Sequence, residues 1–276
     1  DKKNEIYINS NKNLKILSWN IYMLPYINFL HKSEERAYAI GDLLKYENYD
    51  ILVFQEAFLE SSRKIIYNEL KKIFPYQTGP INTEKNYFQT NSGLWILSKM
   101  PLKLLKSIQY RDAKGFDAIA NKGAVLLKGK WQNKNFQLIA THLQADGYSN
   151  IRRSQILQLA DEIVKPFKNK DIPQIFCGDF NIRPVEFEDY KFMTEKLESN
   201  NDFSFSLKNI SYDEINNELA KTKNPLPSTF DYIMINKELA NKINIKRNLK
   251  KFRSFSSFSK QFDLSDHYAI DAEITL

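Results

Sequence analysis

Eight polar side chains that can transfer protons or bind metal ions lie at or beside the ends of apolar runs of strand length. They are Asn20, Glu56, His142, Asp179, Asn181, Asp231, Asp266 and His267. Imidazole exchanges protons near neutral pH, and carboxylate and amide oxygens suit hard cations such as Mg²⁺. Because ligands collect where buried strands end in α/β sheets, this set predicts a functional site at the strand ends.

The first three of these residues also have ordinary structural interpretations. Asn20 follows Leu17-Ser18-Trp19, where an Asn is typical of a turn. Glu56 lies in an apolar stretch, where a carboxylate is costly unless it pairs with a buried Arg or binds a metal. His142 ends an apolar run and would equally suit a buried structural histidine. No one of them identifies a site alone.

The tetrapeptide Gly178-Asp179-Phe180-Asn181 is a more specific pattern. In an extended backbone, residues i and i+2 point to the same side, so Asp179 and Asn181 would face one site while Phe180 packs behind. Gly178 permits a close backbone approach or an unusual turn. The alternative is an ordinary turn after a strand.

Two further acidic residues lie close to the last strands. Asp266 and His267 directly precede the run Tyr268–Ile274, and Asp231 precedes Tyr232–Ile235. A buried Asp can orient a His tautomer and stabilise the imidazolium, as it does in hydrolase triads. The segment therefore suits a catalytic His with an Asp partner, but neither pattern identifies a site alone.

Apolar periodicity predicts the elements that must position these residues. The predicted strands are Lys15–Trp19, Ile51–Phe54, Gly93–Ser98, Ala124–Lys128, Phe136–Thr141, Gln174–Cys177, Tyr232–Ile235 and Tyr268–Ile274. The predicted helices are Glu34–Tyr46, Ser61–Ile73 and Ile151–Phe167. Alternation of the two, with some short strand connections, indicates an α/β protein with two packed mixed sheets and helices outside.

One regularity links the strand ends. Asn20 and Glu56 are 36 residues apart, and His142 and Asp179 are 37 apart. The matching positions in the two pairs are separated by 122 and 123 residues. This spacing predicts two similar halves that each place two polar residues at strand ends, although the halves share negligible sequence identity.

Composition excludes several classes of protein. The chain has 276 residues, a net charge of +7, a pI near 9.1 and one Cys, Cys177. A single Cys excludes an intramolecular disulfide scaffold and a Cys-rich zinc module. With 42% hydrophobic residues and no linker-like segment, we expect one ordered domain over residues 1–276. The positive charge favours a phosphate-bearing substrate, nucleic acid or an anionic membrane surface.

The order of these motifs resembles the endonuclease/exonuclease/phosphatase superfamily from about residue 14 to 276. The resemblance implies a four-layered α/β sandwich of the deoxyribonuclease type that cleaves phosphate esters with Mg²⁺, or with Mn²⁺ or Co²⁺ as substitutes. It implies metal binding by Glu56 with Asn20 nearby. It implies catalytic roles at the scissile phosphate for His142, His267, Asp179, Asn181, Asp231 and Asp266, with Asp231 orienting one His and Asp266 supporting the metal or the phosphate.

Further motifs resemble the neutral sphingomyelinase branch, the bacterial sphingomyelinase C type. They include Tyr22-Met23-Leu24-Pro25, Asn121-Lys122-Gly123 and Thr141–Ala145. The resemblance implies hydrolysis of sphingomyelin, or a related choline phospholipid, to ceramide and phosphocholine. Lys122 could approach the phosphate, although a surface Lys beside a turn is equally compatible. No Ser or Cys nucleophile is apparent, so we expect direct attack by water.

Membrane contact and secretion are expected on the same basis. The chain starts at Asp1 without Met or a signal region, and bacterial members of this branch are usually secreted, which predicts an extracellular protein peripheral on target membranes. Basic residues interleaved with Phe favour membrane contact by Phe252, Phe255 and Phe258, and Phe29 is a second candidate. The alternative is that these rings belong to the core. The shorter segment before Ser265 and the missing disulfide depart from secreted relatives.

Two other functions remain open from the sequence. The same catalytic set serves DNA endonucleases, and +7 would help bind a phosphate backbone. The residues before Asp231 are Ser228-Thr229-Phe230, without the Arg usual in abasic-site enzymes. A non-catalytic membrane-binding protein is a third class, but such a protein would be expected to have lost site residues. No obligate protein partner is inferred.

Overall fold

The computed structural model describes residues 12–25, 32–83, 89–145, 147–255 and 261–276. The first six-stranded sheet runs β11-β14-β1-β2-β4-β3 in space. Its strands are β1 (Leu14–Met23), β2 (Ile51–Ala57), β3 (Tyr76–Thr78), β4 (Trp95–Ser98), β11 (Asn244–Lys250) and β14 (Ala269–Thr275). Strands β1 and β2 are parallel, whereas the other pairings are antiparallel.

The second six-stranded sheet runs β5-β6-β7-β8-β10-β9. Its strands are β5 (Lys103–Gln109), β6 (Gly123–Trp131), β7 (Lys134–His142), β8 (Gln174–Asp179), β9 (Ser199–Asn200) and β10 (Asp231–Asn236). Here β7 and β8 form the parallel pair. A separate two-stranded ribbon pairs β12 (Arg253–Phe255) with β13 (Gln261–Asp263).

Helices cover the outer faces of both sheets. They are α1 (Ser33–Leu44), α2 (Glu60–Leu70), α3 (Ser149–Leu159), α4 (Lys165–Phe167), α5 (Phe187–Lys196) and α6 (Phe203–Lys208). A π-helical turn, Ala160–Val164, joins α3 to α4, so the long helix predicted for Ile151–Phe167 is nearly continuous. Among the described residues, no helix is both long enough and apolar enough to cross a membrane.

Successive side chains along each strand point to opposite faces of its sheet, and the apolar ones form three layers. In β1, Leu14 and Ile16 point between the two sheets, where they join residues of the second sheet such as Leu138. Leu17 and Trp19 point the other way and pack under α1 and α2. An equivalent layer lies between the second sheet and α3. Two packed mixed sheets flanked by helices confirm the predicted four-layered sandwich.

The two parallel pairs bring four strand ends together. Strands β1 and β2 end near Asn20 and Glu56, and β7 and β8 end at His142 and Asp179. Across the sandwich, β1 contacts β8, and β2 contacts both β7 and β8. Because parallel strands place their carboxyl ends at one edge, the regular spacing seen in the sequence becomes a single cluster of polar residues.

Gly178 lies where the second parallel pair approaches most closely. A Cβ at this position would lie 2.0 Å from the backbone oxygen of Thr141 on β7. We expect Gly178→Ala to separate β7 from β8 and to lower the free energy of unfolding by about 3 kcal/mol. Gly147→Ala is the matched control, because that position has a positive φ but no atom within 4 Å of the added Cβ, and it should cost only about 1 kcal/mol. Urea denaturation of both variants measures the difference, and equal losses would contradict the steric argument.

Candidate active site

A polar pocket of about 300 Å³ opens where the four strand ends meet. Seven residues predicted from the sequence line it: Glu56, Lys122, His142, Asp179, Asn181, Asp266 and His267. Asn20 and Asp231 lie directly behind them, in contact with Asp179 and His267 respectively. The structure thus brings all nine predicted polar residues to one place.

His267 and Asp231 form a buried pair. The Nδ1 atom of His267 lies 2.8 Å from Oδ2 of Asp231, so the imidazole donates from Nδ1 and presents Nε2 to the pocket. Burial favours the neutral imidazole, but the carboxylates of Asp231 and Asp179 outweigh it and hold the pKa of His267 well above its ordinary value. The pair has the geometry of a base with its orienting acid.

Asp179 lies between the two halves of the site. Its Oδ2 accepts a hydrogen bond from Nδ2 of Asn20 at 3.1 Å and lies 3.6 Å from Nε2 of His142 and 3.8 Å from Nε2 of His267. Burial, with the nearby charge of Asp231, raises the pKa of Asp179 to about 6. A carboxylate facing two imidazoles can orient a nucleophile between them.

Asn181 reaches the pocket by a different route from the one expected. Its φ is +52°, so the backbone after β8 turns instead of continuing as a strand. The Oδ1 atom of Asp179 accepts the Asn181 N–H at 3.0 Å, and Asn181 Nδ2 donates to the Leu143 carbonyl at 3.2 Å. Phe180 is fully buried behind them, as predicted. The chain therefore forms an Asx turn after β8, and Asp179 and Asn181 still line the same pocket.

Glu56 carries a buried carboxylate with an unused oxygen. Its side chain is 17% exposed, and Oε2 has no hydrogen-bond partner among the described residues. Burial raises the pKa of Glu56, while the charges of Lys122 and His267 oppose that rise. Its φ of +53° is strained for a non-glycine residue, and its side chain lines the pocket. An unpaired buried carboxylate oxygen fits the demand of a hard cation.

A second group of residues could hold a metal. Asp179, Asp231 and His267 each place one ligand atom within 4.8 Å of the others. His267 and Asp231 of this group already share a hydrogen bond through Nδ1 and Oδ2, while Oδ1 of Asp231 has no hydrogen-bond partner among the described residues. Oxygen-seeking cations such as Mg²⁺ are better matched by Glu56, whose Oε2 is free, than by a group that contains this imidazole.

Lys122 holds His142 in the neutral form. Its Nζ donates to Nε2 of His142 and to the carbonyl of Leu143, both at 3.0 Å, and lies 2.9 Å from Oδ1 of Asp117. Burial and the Lys122 charge lower the pKa of His142 well below its ordinary value. The two histidines of the pocket are therefore driven to opposite charge states.

Removal of the Lys122 ammonium should destabilise the protein as well as the site. Lys122→Met leaves the carboxylate of Asp117 without its buried partner, and we expect a loss of about 3 kcal/mol in the free energy of unfolding. Lys168→Met is the matched control, because Lys168 pairs with Glu198 and Glu238 at the surface and should cost under about 1 kcal/mol. Denaturant unfolding compares the two, and equal small losses would show that Lys122 is not structurally required.

Arg36 fixes the segments that carry Asn20 and Asp266. Its buried guanidinium donates to the carbonyls of Ile21 and Leu264 at 2.9 Å each, and to that of Tyr22 at 2.5 Å. These bonds tie the end of β1 to the segment before β14.

Burial raises the pKa of Asp266 to about 6, and Ser265 Oγ lies 3.2 Å from its Oδ1.

Sequence reasoning missed several residues of the pocket. Asp117, Ala145, Arg183, Tyr212, Glu214, Leu226 and Phe230 also line it. The Tyr212 ring lies 4.8 Å from the His267 ring, centroid to centroid. These residues come mainly from connections between elements, where no periodicity marks them. Asp117 alone had a usable signal, since it lies five residues before Lys122.

The structure bears differently on each of the four Phe residues that were predicted to contact a membrane. Phe252 is wrong as a membrane contact: it is only 9% exposed and packs 5.1 Å from Trp19, ring centroid to ring centroid, within the core under α1. Phe255 is 68% exposed and stays a prediction. Phe29 and Phe258 lie outside the described residues.

Comparison with known proteins places the chain in a family. Residues 17–267 match the endonuclease/exonuclease/phosphatase family. A phospholipase C of Staphylococcus aureus is 30% identical, over 94% of this chain and 86% of the relative. A sphingomyelinase C of Bacillus cereus is also 30% identical, over 96% and 90%.

Solved structures agree with this assignment. Beta toxin from Staphylococcus aureus with bound magnesium ions superposes with a TM-score of 0.79, at 26% identity over 94% of this chain and 99% of that one. Zebrafish (D. rerio) TDP2 in complex with a single-strand DNA product shares the fold, with a TM-score of 0.73 at 17% identity over 96% of this chain and 100% of that one. The chain belongs to the endonuclease/exonuclease/phosphatase family and, within it, to the branch of the bacterial sphingomyelinase C proteins.

Proposed function

We propose that this protein is a metal-dependent phosphodiesterase that hydrolyses sphingomyelin to ceramide and phosphocholine. The observation that carries the proposal is one pocket containing the His267–Asp231 pair, the shared carboxylate of Asp179 and the carboxylate of Glu56, whose Oε2 has no hydrogen-bond partner among the described residues. Its chain is 30% identical over almost its whole length to proteins named sphingomyelinase C. Phosphodiester hydrolysis needs a base, charge stabilisation and a proton for the leaving oxygen, and these side chains can provide all three.

In the proposed mechanism, the deprotonated form of His267, which Asp231 and Asp179 disfavour in the resting site, removes a proton from the attacking water through Nε2. Asp231 fixes the tautomer of His267 and stabilises its cation. The oxygen of the water forms a bond to phosphorus, and the bond from phosphorus to the ceramide oxygen breaks. The ceramide oxygen takes up a proton from the solvent, while His267 releases to the solvent the proton that it took from the water. Asp179 and Asn181 orient the water and the phosphate, and neutral His142 with Lys122 faces the same phosphate.

Glu56 would hold Mg²⁺, with Asn20 beside it. The donor set supports this choice, because Glu56 provides a buried oxygen without a hydrogen-bond partner and Asn20 interacts with both Glu56 and Asp179. When bound, the ion would act as a Lewis acid on the phosphoryl oxygens. Asp266, buried near Glu56, would support the ion or the phosphate. Mn²⁺ or Co²⁺ would substitute for Mg²⁺ at such a site.

DNA is the second candidate substrate. The net charge of +7 favours a polyanion, and a structural neighbour with the same fold is bound to a DNA product.

We also propose that the protein acts outside the cell at membrane surfaces, since its relatives include a bacterial toxin.

A paired assay separates the two substrates. Phosphocholine release from sphingomyelin vesicles and nicking of supercoiled plasmid are measured in the same Mg²⁺ buffer. We expect rapid phosphocholine release and little nicking. Strong nicking without phosphocholine would replace the proposal with an endonuclease, and vesicle binding without either product would favour a non-catalytic membrane protein.

A further inference from the structure

An aromatic side chain projects into solvent beside the catalytic pocket. Phe116 is 93% exposed, and Ile119, three residues later, is 40% exposed. Phe116 belongs to a 3-10 turn, Gly115–Ala118, in the connection between β5 and β6. A single exposed apolar residue is common on protein surfaces, so only its position beside the pocket distinguishes Phe116 from the others.

An apolar cleft lies directly next to this turn. The cleft has a volume of about 430 Å³, and its apolar lining comprises Leu24, Pro25, Phe58, Phe116, Ile119 and Ala120. Glu56, Asp117 and Lys122 line both this cleft and the catalytic pocket. The proposed phosphate site is therefore bordered on one side by an apolar surface.

The turn is held with its polar side inward. The Asp117 carboxylate lies 2.9 Å from Lys122 Nζ and accepts the Ala145 N–H at 2.6 Å. The buried side chain of Gln144 accepts from the Lys114 N–H at 2.9 Å and donates to the Lys114 carbonyl at 3.1 Å. The exposure of Phe116 is thus imposed by bonds on both sides of it.

We propose that the Gly115–Ala118 turn and the adjoining cleft form a lipid-binding surface that docks the enzyme on a phospholipid bilayer. Phe116 enters the interface, and the cleft receives hydrocarbon next to the scissile phosphate. The inference rests on the proposed function, since a lipid substrate must reach the pocket from a bilayer. The exposed Lys114 flanks Phe116 and complements the phosphates of the headgroup layer. The surface replaces Phe252, which is buried, as the aromatic contact beside the site.

A tryptophan substitution reports on this contact directly. The three native Trp residues, Trp19, Trp95 and Trp131, are all buried, so an indole introduced by Phe116→Trp is distinguishable by its exposure. Vesicles of sphingomyelin and phosphatidylcholine, with a fraction of brominated phosphatidylcholine, are mixed with this variant in a His267→Gln background to prevent hydrolysis. We expect a blue shift of the emission and quenching by the brominated lipid.

A polar substitution tests the consequence for activity. Phe116→Ser should lower the ratio of vesicle hydrolysis to hydrolysis of a water-soluble phosphocholine ester by about tenfold, because the interfacial burial of one phenyl group is lost. Tyr46→Ser is the matched control: Tyr46 is 83% exposed and lies before β2, at the end opposite Glu56, so the ratio should not change. Phe116→Trp should keep the ratio at or above that of the native chain.

Three results would overturn the inference. The first is an emission spectrum that vesicles leave unchanged while the Phe116→Trp chain with native His267 hydrolyses them. The second is an equal fall for both substrates in Phe116→Ser, which would indicate a role in the pocket. The third is a blue shift that depends on protein concentration without lipid, which would indicate self-association. Failure of the native chain to hydrolyse either substrate would instead contradict the proposed function.

Discussion

Replacing His267 with Gln is expected to lower kcat for phosphocholine release by about a thousandfold, with little change in KM. Gln cannot accept a proton from water, yet it can keep a hydrogen bond to the buried carboxylate of Asp231. The loss should therefore be in the chemical step and not in substrate binding. Initial rates over a range of sphingomyelin concentrations measure the two parameters separately.

Asp231→Asn is the matched variant for this pair. It should also lose activity, by about a hundredfold or more, because Asn no longer fixes the Nδ1–H tautomer or stabilises the imidazolium. Circular dichroism and Tm should show that both variants are folded. A His267→Gln enzyme with more than about a tenth of the native kcat would remove His267 from the role of base.

The same pair predicts a dependence of stability on pH in a chelating buffer. Asp231 and Asp179 outweigh burial and raise the folded-state pKa of His267 above the unfolded value of about 6.5. The protonated pair therefore stabilises the fold fully below pH ~6.5, and this contribution is lost as the pH rises through the raised pKa. His267→Gln should cost more stability at pH 6 than at pH 9. A cost that is the same at both values would contradict the charged pair.

Glu56→Gln is expected to have the second large effect, on metal binding. The substitution keeps the shape of the side chain but removes the negative charge that would attract the cation. We expect phosphocholine release at millimolar Mg²⁺ to fall by about a hundredfold. Glu60→Gln is the control, since Glu60 is an exposed residue that pairs with Lys64 and should leave the rate unchanged.

Thermal denaturation tests the role of Glu56 in metal binding without a measurement of activity. In chelator at pH 7.5, Glu56→Gln should raise Tm, because burial raises the carboxyl pKa and the ionised form therefore opposes folding. That gain should disappear near pH 4, below the unfolded-state pKa. Added Mg²⁺ should raise the Tm of the native chain but not that of the variant. An identical Mg²⁺ response in both would reject Glu56 as the ligand.

Much of the fold could be predicted because the buried strands are strongly apolar. Strands such as Ile51–Ala57 and Gln174–Asp179 are buried on both faces, so their sequences are unmistakable and their polar ends stand out. The edge strands β5 and β11 were not predicted. Strand β5 is largely exposed and β11 is largely half-buried, and both contain Lys. Their structure depends on pairing with a neighbour instead of on an apolar pattern of their own.

The residues of the candidate site also divide into those that the sequence predicted and those that it did not. Residues at strand ends were found, because the strand fixes where they lie. Tyr212 and Glu214 were not found, since they come from an irregular connection that reaches the pocket only through the tertiary fold. Phe252 was misassigned because its neighbours Lys251 and Arg253 resemble a membrane-binding segment, while its ring packs on Trp19 from a distant part of the chain. Burial of a single ring in a basic segment cannot be deduced from local sequence.

The most direct test of the central claim is hydrolysis of sphingomyelin vesicles in water enriched in ¹⁸O, followed by ³¹P NMR and mass spectrometry of both products. Direct attack of water on phosphorus predicts phosphocholine that carries one ¹⁸O atom and ceramide that carries none. Release of choline with phosphorylated ceramide, ¹⁸O in the ceramide, or no cleavage in the presence of Mg²⁺ would contradict the account.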